Sequence, residues 1–224
     1  MKNNDLILQK LSKSYHGQVV FSDLSLALSP GNAYCLMAPS GTGKTTLFRI
    51  LMGLETPDSG TIDGLKNLKI SAVFQEDRLL PWLTVRQNVE AVLFDDAAAK
   101  AAAYLDAVGL TDAADALPHT LSGGMKRRAA IARALAKGGK LLLLDEPFSA
   151  LDPALRQEML TLVAEVCRDK QLTLLMVSHS VGDAARIACR SIVVADGRIA
   201  WQGKTDELLS GQASASTLLG IKAE

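Results

Sequence analysis

Short aliphatic runs alternate with stretches of helical periodicity along the chain, which predicts an α/β sheet with crossover helices. The run 33–37 reads as a strand, and 45–53 as a helix with Leu47, Ile50, Leu51 and Leu54 at helical spacing. Residues 141–144 are all leucine, the pattern of a parallel strand covered on both faces. Asp152 followed by Pro153 supplies an N-cap and an N1 proline. The helix they open puts Leu155, Met159, Leu162, Val163 and Val166 on one stripe. A further buried strand is expected at 172–177 and a helix at 180–189. The segments 191–195 and 198–202 flank Asp196 and Gly197, a strong hairpin signal.

Between Gln75 and Ser122 the texture changes. Val85, Val89 and Val92 share one helical face, and Ala98, Ala101, Leu105 and Val108 share another. The alanine-rich run 97–103 favours helix and carries no chemistry of its own. This predicts a small helical subdomain, residues 76–121, inserted into an α/β core made of 1–75 and 122–224. No internal repeat is evident, and the tail after Ser210 is small and polar, too short for a folded regulatory domain.

Composition narrows the setting. The chain has 224 residues, 48% of them hydrophobic, which predicts a packed domain rather than disorder. Lysine plus arginine equals aspartate plus glutamate at 24 each, so the basic surplus of a duplex-DNA binder is missing and nucleic acid is not an expected partner. Cys35, Cys167 and Cys189 are widely separated, which argues against a disulfide framework or zinc site and for a reducing compartment. Asn3, Asn4 and Asp5 stand where a signal peptide needs an apolar run. The apolar stretches are far shorter than the roughly 20 residues that span a bilayer. A cytosolic protein is expected, unless a partner holds it at a membrane.

Ala38, Pro39, Ser40, Gly41, Thr42, Gly43, Lys44 and Thr45 match a phosphate-binding loop, with alanine where the pattern has its first glycine. The loop leaves an apolar strand and opens a helix, so backbone N–H groups and the helix N-terminus converge on one anion site. That context favours phosphate binding over an ordinary glycine-rich turn. Lys44 then reaches the β and γ phosphates, the Thr45 hydroxyl ligates Mg2+, and Thr46 completes the set. Ala38 precedes Pro39, which pushes it toward an extended conformation open to alanine.

Asp145 and Glu146 follow the leucine strand, at the carboxyl edge where open α/β sheets place ligands. Asp145 is placed to hold Mg2+ through water, and Glu146 to polarise an attacking water. The plainer alternative is a strand ending in a solvated acidic turn. Ser122 caps a helix, and Gly123 and Gly124 leave N–H groups uncovered, a second anion site. Lys126, Arg127, Arg128 and Arg133 follow, and a capped helix with a solvated basic face fits the periodicity equally well. Cations in a first turn oppose the helix macrodipole, a broken local rule of the kind found at functional sites. Gln75, His179 and Tyr15 matter only in combination, at a metal, at a γ-phosphate and stacked on adenine respectively. Alone, each is more often structural, which is also the reading for His16 and His119.

In order along the chain, Tyr15, the loop 38–45, Gln75, 121–125 (LSGGM), 141–146, 149–152 (SALD) and His179 resemble the ABC-type ATPase family over nearly the whole length. The phosphate loop is shared by many NTPases, whereas LSGG upstream of the Asp-Glu strand and SALD is specific to this family. The resemblance implies a P-loop NTPase (RecA-like) sheet with an antiparallel β subdomain and the inserted helical subdomain. It implies Mg-dependent ATP hydrolysis by a head-to-tail homodimer. The phosphate loop of one subunit and Ser122, Gly123 and Gly124 of the other would enclose each γ-phosphate. By the same carry-over Glu146, His179 and Gln75 serve catalysis, Thr45, Gln75 and Asp145 serve Mg2+, and Asp152 communicates across the dimer.

The resemblance further implies a peripheral protein on the cytoplasmic face of the inner membrane, driving a separate transmembrane permease, with import favoured. An extracytoplasmic solute-binding protein would complete the complex. The permease is expected to dock near Leu79, Leu80, Pro81 and Trp82, unless Trp82 folds under to staple the insertion to the core. A soluble ABC-type ATPase, or the cassette of an exporter or membrane-remodelling complex, is the alternative. Ala38 and Met125 stand where the family has glycine and glutamine, and neither change removes a phosphate ligand. The stretch 73–82 (VFQEDRLLPW) with LSGGM is similar to ATPases of nitrate, sulfonate and taurine importers, and some thiamin-precursor importers share it.

Overall fold

A computed structural model describes residues 5–39 and 41–210. The readings made for Ser40, for the first four residues and for the polar tail fall outside the described residues. Strands β1 (Leu6–Tyr15), β2 (Gln18–Leu28) and β4 (Ser59–Asp63) form an antiparallel sheet in the order β2-β1-β4. Strands β3 (Ala33–Met37), β5 (Ile70–Val73), β6 (Leu141–Asp145), β7 (Thr173–Val177), β8 (Arg190–Ala195) and β9 (Arg198–Lys204) form the main sheet. Its order is β5-β6-β7-β3-β8-β9, parallel except for β9.

The helices are α1 (Lys44–Leu51), α2 (Val85–Glu90), α3 (Ala97–Ala107), α4 (Gly123–Lys137), α5 (Pro153–Asp169), α6 (Val181–Ile187) and α7 (Thr205–Leu209). All residues of β6 and β7 are buried, as continuous aliphatic runs between two helical layers require. Alternate strand positions face different layers. Leu142, Leu144, Leu174 and Met176 pack with α4 and α5, whereas Leu141, Leu143, Leu175 and Val177 pack with α1 and the antiparallel sheet. Burying each such side chain stabilises the fold by roughly 1.5–3 kcal/mol. Helices α2 and α3 pack on each other and on α4, and Val85, Val89, Ala101 and Leu105 join the first of these clusters.

Several sequence expectations shift in detail. Helix α1 ends at Leu51, and Leu54 is 56% exposed instead of continuing the buried stripe. Gly53 takes the left-handed conformation, and the bonds Gly53 N to Ile50 O and Leu54 N to Arg49 O close a Schellman motif that stops the helix. Ala98 is exposed, and Val92 lies beyond the end of α2. On α5, Met159 and Val163 are buried along with Leu160 and Cys167, while Leu155, Leu162 and Val166 are only partly covered.

The hairpin between β8 and β9 turns through Asp196 at φ 49° and Gly197 at φ 70°, both in the left-handed region that a type I′ turn requires. Its tip also touches the other sheet, because Ser22 N donates to Gly197 O at 2.9 Å. A Cβ at position 197 would lie 3.0 Å from Val20 O and from Phe21 Cα. Gly197→Val is therefore expected to lower the unfolding free energy by about 1–3 kcal/mol. Urea denaturation measures this, and an unchanged midpoint would mean that the tip is free of the β2 backbone.

Candidate functional site

Strand β3 ends at Met37, and the chain turns into α1 through a loop that only glycine can complete. Gly41 and Gly43 both have φ 81°, and a Cβ on Gly43 would fall 2.1 Å from Val20 Cγ1. Thr42 Oγ1 donates to Pro39 O at 2.8 Å, and Lys44 Nζ donates to Ala38 O and to Pro39 O, each at 2.8 Å. The ammonium is thus folded into the hollow of its own loop, where burial pushes its pKa down against the pull of Glu146 and Asp145. Ala38 is buried, with its φ outside the left-handed region.

Thr45 Oγ1 donates to Asp145 Oδ2 at 2.8 Å, joining the start of α1 to the end of β6. Asp145 is 3% exposed, and burial pushes its carboxyl above the usual carboxylate range while the Thr45 hydrogen bond opposes the shift. A carboxylate and a hydroxyl are hard oxygen donors that suit Mg2+, and the neighbouring ammonium suits phosphate oxygens. Glu146 follows at φ 47°, a left-handed conformation of the kind that costs about 1–3 kcal/mol and persists where its surroundings hold it. The restraints are visible: Glu146 N donates to Val177 O at 3.1 Å, and Glu146 O accepts from Arg127 Nη2 at 2.9 Å and from Ser149 Oγ at 3.1 Å. The Glu146 carboxylate projects toward His179, with Oε1 2.7 Å from Nε2.

The remaining expected residues are placed less tightly. Gln75 is exposed just past β5. Tyr15 closes β1, and its phenol donates to Glu55, which holds its pKa above the ordinary value. The Lys13 ammonium lies 5.2 Å from the Tyr15 ring centroid. Thr46 is half-buried in the first turn of α1. Ser122 caps α4 by accepting from Met125 N at 3.2 Å, and around Gly123 there is open space. Among the described residues, no hydrogen bond joins Ser122, Gly123 or Gly124 to the phosphate loop of the same chain. Asp152 caps α5 by accepting from Leu155 N at 3.0 Å.

The arginines after Ser122 do not form a solvated basic face. Arg127 is 2% exposed and donates to Phe74 O, to Asp77 Oδ1 at 3.2 Å, to Asp145 O at 3.2 Å and to Glu146 O. Arg128 donates to Val108 O and Gly109 O, and Arg133 to Asp77 O. Buried carbonyls need donors, and these guanidinium groups supply them across distant segments. The unfavourable placement of cations at a helix start was a legible signal, but their partners were not. Asn88 was missed as well: fully buried, it accepts from Leu80 N at 2.8 Å and donates to Leu80 O, Leu83 O and Thr84 O. It pins the loop that carries Trp82, which is 71% exposed and so does not staple the core.

The buried Ala38 methyl yields a test. Ala38→Gly removes apolar burial and loosens the unfolded chain, so a loss of about 1–2 kcal/mol of stability is expected. Nucleotide affinity, read by fluorescent-nucleotide titration, should change by less than about threefold, because the methyl packs with the hydrophobic core. A tenfold gain in affinity, about 1.4 kcal/mol, would show that the methyl crowds the phosphates.

The chain is 52% identical to the thiamine import ATP-binding protein ThiQ of Salmonella typhimurium, over 89% of this chain and 91% of that protein. It is 53% identical to ThiQ of Escherichia coli (strain UTI89), covering 88% and 92%. The dimeric post-hydrolysis structure of the ATP-binding cassette MJ0796 with ADP and Pi matches with a TM-score of 0.82 at 28% identity, over 89% of this chain and 98% of that one. A bacterial Atm1-family ABC exporter with ATP bound matches with a TM-score of 0.88 at 25% identity, over 100% of this chain and 43% of that one. The names of these sequence relatives point to thiamine, so the narrower likeness to nitrate, sulfonate and taurine importers does not single out the group this chain matches. The ABC transporter family pattern matches residues 21–149, more than half of the chain, and with relatives this similar the chain belongs to that family, as its ATP-hydrolysing subunit.

Proposed function

We propose that two copies of this chain hydrolyse MgATP to drive the import of thiamine, or a compound like it, through a separate transmembrane permease. The observation that carries this reading is the identity of 52% to a thiamine import ATP-binding protein across nearly the full length of both chains. The subunit works at the cytoplasmic face of the membrane, and a solute-binding protein outside delivers the cargo. Residues 76–121 act as the helical unit that faces the permease.

The chemistry follows from the placed residues. Lys44 exchanges the carbonyls of Ala38 and Pro39 for phosphate oxygens, whose negative charge favours an ammonium that burial disfavours. Thr45 and Asp145 already share a hydrogen bond and offer the oxygens for Mg2+, which when bound neutralises charge on the β and γ phosphates. Glu146 accepts the proton of the attacking water at its carboxylate, and His179 holds that carboxylate and the γ-phosphate oxygen in register. Gln75, exposed just past β5, links the permease loop to the metal, and Tyr15 supplies a face for adenine. The backbone of Ser122, Gly123 and Gly124, with open space around Gly123, closes the partner's site. Asp152, exposed at the start of α5, contacts the partner. Trp82 and the 99% exposed Phe94 form apolar surface for the permease to cover.

Three measurements test the proposal. Glu146→Gln keeps the shape of the side chain and removes the base, so hydrolysis should fall by about 100-fold or more while MgATP still binds and ATP-loaded dimers accumulate. Near-normal turnover would remove Glu146 from its role. Trp82→Ala should leave the isolated subunit folded, with ordinary basal ATPase, yet unable to co-purify with the permease from detergent-solubilised membranes. In the wild-type complex, reconstituted with its binding protein, thiamine should stimulate ATPase where nitrate, sulfonates and taurine do not. Stimulation by one of those instead would overturn the cargo assignment.

A further inference from the structure

We propose that Arg156 and Asp183 form a clamp that aims His179 at Glu146, and so govern the hydrolytic step without touching nucleotide. The proposal rests on the hydrolytic reading above. Arg156 stands in the first turns of α5 and Asp183 in the first turn of α6. The guanidinium meets the carboxylate as a fork, with Nε to Oδ1 at 2.9 Å and Nη2 to Oδ2 at 2.6 Å. The Asp183 side chain is only 4% exposed, so it sits as a charge that its partner must balance. A planar fork fixes direction as well as distance, which a single ammonium contact does not.

What this carboxylate holds in turn is the loop around His179. Ser178 Oγ donates to Asp183 Oδ2 at 2.8 Å, and Ser180 N donates to Ser178 Oγ at 3.0 Å. Asp183 N closes the circuit by donating to Ser180 Oγ at 3.2 Å. Both neighbours of His179 are thus tied to Asp183, while the imidazole itself touches Glu146. Glu146, Phe148, Arg156, His179 and Asp183 line one cavity of about 320 Å3. Arg156 also belongs to the turn that Asp152 opens, since Arg156 N donates to Asp152 O at 2.8 Å. The start of α5 and the aim of His179 are therefore mechanically one unit. A plain helix-stabilising role explains less, because Ser180 already caps α6.

Arg156→Lys keeps the charge and loses the fork, and Asp183→Asn keeps the shape and loses the charge. In each, kcat should fall by about tenfold or more, while affinity for a non-hydrolysable ATP analogue changes by less than about threefold. The chain has three histidines, so His179→Gln assigns the imidazole signals by NMR. The His179 ring signals should move in both clamp variants, in the direction that Glu146→Gln also moves them, while those of His16 and His119 stay in place. Ser178→Ala, which removes only the hydroxyl bridge, should give a smaller change in the same direction and serves if either clamp variant fails to fold. Unmoved His179 signals, an unchanged kcat, or a fall in kcat matched by an equal fall in nucleotide affinity would overturn the proposal. Absence of ATPase in the wild-type protein would count against the hydrolytic reading alone, since the imidazole signals still report the clamp.

Discussion

Strand β6 is hydrogen-bonded along both edges, to β5 and β7, and buried on both faces. A strand enclosed in this way cannot slip, because a shift of one residue would turn every leucine into the opposite layer. The two carboxylates at its end inherit that rigidity. Asp145 is paired with Val177, and Glu146 N still bonds to Val177 O before the chain leaves the sheet. The neighbouring strands deliver the rest: His179 follows β7, the phosphate loop follows β3 on the other side of β7, and Gln75 follows β5. Four adjacent parallel strands thus end at one edge, roughly 4.8 Å apart, and the site is an assembly of their last residues.

Much of this was legible in the sequence, because it is written in local patterns. A leucine run, an Asp-Pro helix start, an Asp-Gly turn and a glycine-rich loop each impose their geometry within a few residues. The described loop residues, 38, 39 and 41–46, and the pair Asp145 and Glu146 lie where the pattern put them, and Thr45 and Asp145 are in direct contact. One error falls at an element end, where a Schellman closure at Gly53 left Leu54 in solvent.

Long polar side chains were the illegible part. Arg127 reaches Phe74, Asp77, Asp145 and Glu146, and nothing in the residues near Arg127 points to carbonyls at the ends of β5 and β6. Asn88 is equally opaque: an asparagine on an amphipathic helix reads as solvated, yet here it satisfies the partly buried backbone groups of a loop. A hydrophobic pattern says which face turns inward, but hydrogen-bond closure depends on where chain segments meet. That is information about the whole fold.

The strand order also bears on how the protein is made. Strand β3 carries the phosphate loop and is complete by residue 37, but its partners along the two edges are β7 and β8, which begin at Thr173 and Arg190. Emerging early from the ribosome, β3 has no edge to pair with until most of the chain has followed it. Such distant pairing closes large loops and is intrinsically slow. A nascent chain truncated before β7 would expose an apolar strand and an unsupported glycine-rich loop. The phosphate loop therefore gains the sheet that supports it only late in synthesis, once β7 and β8 have followed.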